Sequence, residues 1–289
     1  MRALLVPLTL IAAGLLVLAV WFYFIPAFQG DIPVPATLEF AGFKIHYYGL
    51  LLAAGILASF FVAAAFAPRA GMRPGDIEGL LPWIVVFGFI GARAYFVALS
   101  WDHYQGNMWE IFQIWKGGLS IYGAIVGVVL AVALLARKRA LPALKILDLM
   151  AVAVPLAQVL GRFGNFFNQE AFGRPTELPW KMFVEAGVRP SNYLASQYFH
   201  PTFLYEALWN FMVFLVMIFL ASRHLSRPAG GFLLGVYLIL YSVGRFLIED
   251  LRLDSFFWRG VRVDQMVALL AIVAGLIIFY RSYDEISVR

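Results

Sequence analysis

The sequence contains no cysteine and little charge: only 13% of its 289 residues are Asp, Glu, Lys or Arg, where a soluble domain carries ~25%. Without cysteine, the chain cannot form disulfides, build thiolate metal sites or supply a cysteine nucleophile. With so few charges, it has too little polar surface to cover a compact globule of this length. No group of Asp, Glu and His stands at metal-ligand spacing, so neither a metal nor another cofactor is indicated. Internal repeats are absent too, which counts against a transporter built from inverted halves.

What is present is apolar: 62% of the residues, with aromatics making up 17% and a mean hydropathy of +0.82. Runs able to cross a bilayer occur at 4–26, 46–67, 79–100, 119–136, 144–166, 203–222, 231–248 and 262–280, each near the ~20 residues a span requires. The expected fold is an all-α polytopic membrane protein of about eight transmembrane helices. The first run follows Met1-Arg2 but is longer than a signal-peptide core, and no small-x-small cleavage site follows it. It reads as a retained signal-anchor helix occupying residues 1–30. The remainder, 31–289, forms the main membrane domain. Segment 167–202, with Pro175, Pro179, Pro190 and Pro201, reads as a small extramembrane cap and not a long helix.

The net charge of +5 does not point to nucleic acid, because the basic residues are scattered between apolar runs. Positive charge is denser in the short segments around 67–78, 137–145 and 223–230 than in the longer loops on the other side. By the positive-inside rule both termini face the cytoplasm. Three arginines, Arg93, Arg162 and Arg245, fall within apolar runs. Each costs ~2.5–3.5 kcal/mol at mid-membrane, so such residues usually face a bundle interior and serve function. Snorkelling towards a helix end is an equal alternative for Arg93.

The densest polar cluster is GRFGNFFNQE at 161–170. Arg162 and Asn165 share a helical face, and Gly161 and Gly164 let a ligand or another helix approach the backbone. A guanidinium and an amide facing one way suit an anionic headgroup; an interhelical hydrogen-bond cluster is the structural alternative. Tyr241, Arg245, Glu249 and Arg252 form a second stripe, spaced by four, four and three. It reads either as i,i+4 ion pairs or as electrostatic stabilisation with a proton acceptor. His200-Pro201-Thr202 with Tyr205-Glu206 reads mainly as a helix start, Thr202 serving as N-cap. Gly117-Gly118 could offer backbone N–H groups to an anion, whereas Gly123 with Gly127 and Gly231 with Gly235 read as helix packing. On spacing alone Tyr47 and Tyr48 are interfacial anchors.

Taken in order, these segments resemble the bacterial phosphatidylglycerol–prolipoprotein diacylglyceryl transferase family. The resemblance rests on His46-Tyr47-Tyr48-Gly49, Gly91-Ala92-Arg93-Ala94-Tyr95, GGLSIYGA at 117–124, GRFGNFFNQE at 161–170 and Gly173-Arg174. It continues through HPTFLYE at 200–206, YSVGRFLIEDLR at 241–252 and Asp264-Gln265. It implies transfer of the diacylglyceryl group of phosphatidylglycerol to the lipobox cysteine of a preprolipoprotein, forming a thioether and releasing glycerol phosphate. This is the first step of bacterial lipoprotein maturation, and the substrate brings the thiol that this chain lacks. By resemblance Arg162 and Arg245 hold the phosphate, and Tyr48, Asn165, Glu170, Gly173, Tyr241 and Glu249 fall on other functional positions. The implied setting is the inner membrane, with the active site towards the extracytoplasmic side.

The chain departs from the family pattern in two places. Many members carry histidine where this chain has Tyr122, so a histidine base is absent there; tyrosine, with a pKa of ~10, is a poor base at neutral pH. Tyr122 is expected to position substrate, and proton acceptance passes to Glu249, Glu170, water or the phosphate. The family is usually described with seven spans, so the first run here is additional. Two other classes share these features: an anionic-lipid transporter using the same arginines without chemistry, and a scaffold whose ion pairs serve assembly alone.

Overall fold

A computed structural model describes residues 20–227 and 229–287. Among them, seven helices are long and apolar enough to cross a membrane, and the protein is a multi-pass membrane protein. They are α1 (Tyr47–Phe66), α2 (Pro74–Leu99), α3 (Ile121–Lys138), α4 (Ala143–Phe167), α5 (Thr202–His224), α6 (Phe232–Glu249) and α7 (Val263–Ser287). At ~1.5 Å per residue, the 20 residues of α1 match the ~30 Å hydrocarbon thickness. A helix suits lipid because its backbone groups are satisfied within the segment. Most of the first expected span, residues 4–19, lies outside the described residues. Its end is seen as helical turns at Val20–Phe24 and Ile25–Gln29, closed by Gly30 at φ +85°.

Sequence punctuation sets the helix ends. Pro74 opens α2 at the first helical position, where a missing N–H costs nothing, and Asp76 accepts the Arg73 backbone N–H at 2.8 Å. Segment 168–201 contains no long helix, as its prolines imply. It holds the two-residue antiparallel pair β3 (Met182–Phe183) and β4 (Tyr198–Phe199). Elsewhere β1 (Thr37–Phe40) pairs with β2 (Phe43–His46), and β5 (Phe257–Trp258) with β6 (Val261–Arg262).

The chain divides into two compact units. One comprises residues up to 55 with 156–212 and 241–271. Its apolar core joins Ala27, Val34, Phe166, Phe172, Phe199 and Phe203. Phe24 and Phe28 stack on Phe166 at 5.2 and 5.6 Å between ring centroids, and Phe166 meets Phe203 at 5.3 Å. The residues just before Gly30 are thus built into this core.

The other unit comprises 56–155, 213–240 and the chain beyond 272. Here Gly91 of α2 and Gly123 and Gly127 of α3 let the two backbones touch. A Cβ on any of them would meet a facing carbonyl oxygen at 2.1–2.3 Å, so the packing reading of Gly123 and Gly127 holds. Gly235 packs likewise against Gly275 and Phe279 of α7. Arg93 donates to four carbonyls: Nε to Ile111 at 2.8 Å, Nη1 to Gly117 at 2.7 Å and Gly118 at 2.9 Å, and Nη2 to Glu110 at 2.6 Å. Gly117 and Gly118 adopt φ of +86° and +77°, which turns their carbonyls to this cation. These carbonyls therefore hold a guanidinium.

Two buried polar side chains tie the α5–α6 connection. Lys145 donates to the Leu225 carbonyl at 2.8 Å and to that of Arg227. Asp148 accepts the Gly231 and Leu234 N–H groups, both at 2.8 Å. A cation thus meets a helix C-terminus and an anion a helix N-terminus, as the helix dipoles favour.

Candidate active site

The polar residues of the first unit converge on one carboxylate. Glu206 lies one turn into α5 and is 4% exposed. Its Oε2 is 2.9 Å from Arg162 Nη2, while Oε1 is 2.6 Å from Arg252 Nη1 and 3.3 Å from Arg245 Nη1. Three guanidiniums from α4, α6 and the chain after α6 thus share one acceptor. From spacing alone Glu206 belongs to a helix start; the structure makes it the hub. The available signal was the number of arginines in and beside the spans, which demanded a buried counter-charge. Thr202 also differs from expectation: its hydroxyl donates to the Ala171 carbonyl at 2.5 Å instead of accepting from the helix N-terminus.

Around the hub each arginine has its own partners. Arg252 binds Asp254 through two parallel bonds, Nε to Oδ1 at 2.9 Å and Nη2 to Oδ2 at 2.6 Å. Burial works against its charge, but the Asp254 hydrogen bond and the Glu206 and Asp254 charges outweigh that and hold its pKa above the ordinary arginine value. Arg245 Nη2 donates to Asp264 Oδ2 at 2.8 Å and lies 2.8 Å from Glu249 Oε2. The Glu249 contact is an ion pair, and this carboxylate is fully buried. Arg262 braces the turn beneath by donating to the Glu249 carbonyl, to the Arg252 carbonyl at 3.1 Å and to Ser255 Oγ at 2.6 Å.

Arg162 is the most open of the three, with 21% of its side chain exposed. Its Nη1 donates to Asn165 Oδ1 at 3.2 Å, and Asn165 Nδ2 donates to Glu170 Oε1 at 2.8 Å. Glu170 is brought back beneath α4 by a sharp turn in which Gln169 (φ +48°) and Ala171 (φ +55°) adopt left-handed backbone. That conformation costs a non-glycine residue about 1–2 kcal/mol. The two signature glycines do different things: the Tyr48 ring fills the space over Gly164, while an added Cβ at Gly161 meets nothing within 4 Å.

Of the expected site residues, Arg162, Asn165, Glu170, Arg245 and Glu249 are thus linked through hydrogen bonds and ion pairs, with Glu206 joining the two arginines. Tyr48 lies against Gly164. Tyr241 borders a small cavity with Glu206, Trp209, Asn210 and Arg245 that encloses about 10 Å³ of free room, the scale of one water molecule. Gly173 is a close-approach point: its N–H donates to the His200 carbonyl at 2.8 Å, and a Cβ there would meet the Leu251 carbonyl at 2.8 Å. His200 contacts the Tyr205 hydroxyl at 3.1 Å, and burial lowers its pKa. Tyr122, in the first turn of α3, has its ring 6.4 Å from that of Tyr95.

Arg252 is shared between Glu206 and Asp254, while Arg162 and Arg245 face Glu206, Glu249 and Asp264. Such a site can exchange one of its ion pairs for a ligand. It also presents a planar, multidentate donor set to a phosphate once a carboxylate gives way to a proton or to solvent. Among the described residues no group of three or more His, Asp or Glu could hold a metal ion.

A family described as prolipoprotein diacylglyceryl transferase matches residues 35–281. A protein of Synechococcus elongatus named phosphatidylglycerol–prolipoprotein diacylglyceryl transferase is 41% identical over 87% of this chain and 88% of its own length. Proteins of the same name from Thermosynechococcus vestitus (41% identical, 90% of this chain and 96% of its own) and Gloeobacter violaceus (42%, 85% and 91%) are similarly close.

Proposed function

This chain belongs to the prolipoprotein diacylglyceryl transferase family, and on that premise we propose how its residues carry the transfer from phosphatidylglycerol to a lipobox cysteine. The thiolate sulfur attacks the glyceryl carbon that bears the phosphate ester. A C–S bond forms, the C–O bond breaks, and glycerol phosphate leaves with the bonding electron pair. The thiol proton goes to a base. Two demands follow: the attacking sulfur must be ionised, and the leaving phosphate must be stabilised.

Arg162 and Arg245 meet the second demand. They come from different helices yet share Glu206, which fixes their relative positions before substrate arrives; this shared acceptor is the observation that carries the proposal. Preorganised guanidiniums stabilise developing negative charge without reorganising at the moment of reaction, and more strongly in a water-poor site. Their field also favours the thiolate of a cysteine whose free pKa is ~8.5. Arg162, Asn165 and Tyr48, beside the open face at Gly161, receive the headgroup, with Tyr241 and Gly173 completing its surroundings. Glu249, a fully buried carboxylate beside Arg245, takes the thiol proton. Glu170 holds Asn165 and is the alternative acceptor; Tyr122 positions substrate.

The transferase domain is assigned to 31–289 with the cap at 167–202, supported by the match over 35–281; residues 1–30 form an additional N-terminal element. Loop charges support a bacterial inner-membrane setting with both termini cytoplasmic. The site then faces the extracytoplasmic side, where a lipobox signal peptide presents its cysteine.

The test uses the full chain in membranes containing phosphatidylglycerol labelled in the glyceryl backbone, together with a lipobox peptide. Label in thioether linkage to the peptide, with glycerol phosphate released in equal amount, is the expected result. Lipid movement or binding without that product would place the arginines in transport or assembly.

A further inference from the structure

The antiparallel pair α2 and α3 touches at Gly91, Gly123 and Gly127 and then opens towards the other end. The indices show the direction: Gly91 meets Gly123, Phe87 meets Gly127 and Gly79 meets Arg139. Where the helices separate, Trp83 and Phe87 face Ala131, Leu134 and Leu135 across a groove of about 290 Å³. Ala131 is fully buried at its floor, while Trp83 and Leu134 are about half exposed at its rim. The space is near the lower end of ligand pockets, roughly 300–1,000 Å³, and its walls are almost wholly apolar.

The open end is basic. Lys138 and Arg139 line it, and Arg137 precedes them in sequence. Arg139 Nη2 donates to the Gly79 carbonyl at 3.1 Å, which lays this side chain across the mouth. No carboxylate among the described residues pairs with Arg137 or Lys138. The acids on the facing end of α2 are Asp76, already paired with Arg73, and Glu78. Four cations against two anions leave a positive surplus. With 18 residues, α3 spans ~27 Å, close to the bilayer's ~30 Å hydrocarbon thickness, so Lys138 stands at headgroup level and the groove runs inward from it.

We propose that this groove is a binding site for an anionic phospholipid: one acyl chain lies between Trp83, Phe87 and Leu134, and the phosphate rests on Lys138 and Arg139. A zwitterionic lipid fits the apolar walls equally well but has no net charge to match the surplus at the mouth. None of these residues belongs to the arginine–carboxylate cluster, so this site and the transferase chemistry stand or fall separately. A basic residue near the membrane surface favours an anionic lipid by about fivefold, which sets the size of the effect.

The experiment reads Trp83 directly. The full chain is placed in phosphatidylcholine nanodiscs containing a small fraction of phosphatidylglycerol with brominated acyl chains, which quench tryptophan on contact. A matched set carries brominated phosphatidylcholine, and subtraction of a Trp83→Phe variant isolates the signal; without peptide acceptor, no turnover occurs. Brominated phosphatidylglycerol should quench Trp83 at about one-fifth the mole fraction that brominated phosphatidylcholine requires. Lys138→Gln should narrow that ratio, and Lys138→Gln together with Arg139→Gln should bring the two lipids close to parity, while phosphatidylcholine quenching stays unchanged, which also shows that the variants are folded. Equal quenching by both lipids in the unaltered protein would overturn the selectivity, and absence of Trp83 quenching by either would overturn the occupancy. Selectivity that survives Lys138→Gln together with Arg139→Gln would remove the cations from the argument.

Discussion

Arg93 and Arg245 are the same residue type placed within apolar helices, yet they spend their donors differently. Arg93 gives every donor it uses to backbone carbonyls between Glu110 and Gly118, and its guanidinium lies 5.3 Å over the Tyr104 ring. Carbonyls fixed in a turn cannot be exchanged for a ligand without undoing the turn. Arg245 is distributed over Glu206, Glu249 and Asp264, side chains that a proton, water or another anion can replace. An arginine inside a span therefore marks a site only when its partners are exchangeable; otherwise it is a staple.

The largest effect should come from Arg245→Lys. Lysine keeps the charge but loses the planar fork, and kcat should fall by about 10²–10³-fold while thermal unfolding in detergent is unchanged. Near-normal turnover would show that a point charge suffices and would move Arg245 to the structural side of the comparison. Glu206→Gln should be costly in a different way, because three guanidiniums lose their shared counter-charge. Removing one partner from a buried ion cluster destabilises by about 3–5 kcal/mol, so both melting temperature and activity should drop. A stable but inactive variant would mean that Glu206 acts on the reaction alone.

Arg93→Lys sharpens the other half. One ammonium cannot span carbonyls from Glu110 to Gly118, and stability should fall by about 2 kcal/mol, with turnover per folded molecule nearly intact. Collapse of turnover in a folded Arg93→Lys protein would break the distinction. Tyr122 sits four residues beyond Gly118, on the Arg93 side structurally, while its position in the family motif ties it to the reaction. Tyr122→Phe should slow turnover by up to about tenfold, the scale of one hydrogen bond. Complete loss, with recovery and a new near-neutral pKa in Tyr122→His, would make it the base.

The smallest effect concerns acid. The hydrogen bond and charge of Lys116 hold the Glu110 carboxyl below its usual pKa, with His103 adding to them. The folded form thus binds a proton less readily than the unfolded one. The stabilisation is complete above the ordinary carboxylate value and is lost as pH falls through the depressed one. Hydrogen exchange in 101–118 should quicken over that acidic window before α2 or α3 loosens, and Glu110→Gln should abolish the dependence.

Much of the architecture was legible because lipid imposes a rule that composition must obey: each long apolar run had to become a helix. The seven observed helices fall on the runs beginning at 46 and beyond. The i,i+3 pairing of Arg162 with Asn165 and the Tyr241–Arg245–Glu249 stripe were equally local and could be read from helical periodicity. Glu206 was not, because its three arginine partners lie 44, 39 and 46 positions away in the chain and spacing says nothing about such contacts. The Gly117–Gly118 pair is a similar case: two glycines announce left-handed backbone but not that their carbonyls will meet Arg93.

The sequence by itself determined which segments cross the membrane, the absence of any thiol chemistry of its own, and the family to which its motifs point. These depend on composition and on residues within a turn or two of one another. Only the tertiary structure decided that Arg93 is a staple and Glu206 a hub, that Gly173 is a point of close approach, and that Phe24 and Phe28 belong to the aromatic core. Each of those is set by which distant group fills the space beside a side chain. In a buried environment, the partner and not the residue type determines whether a charge is locked in place or available to a ligand.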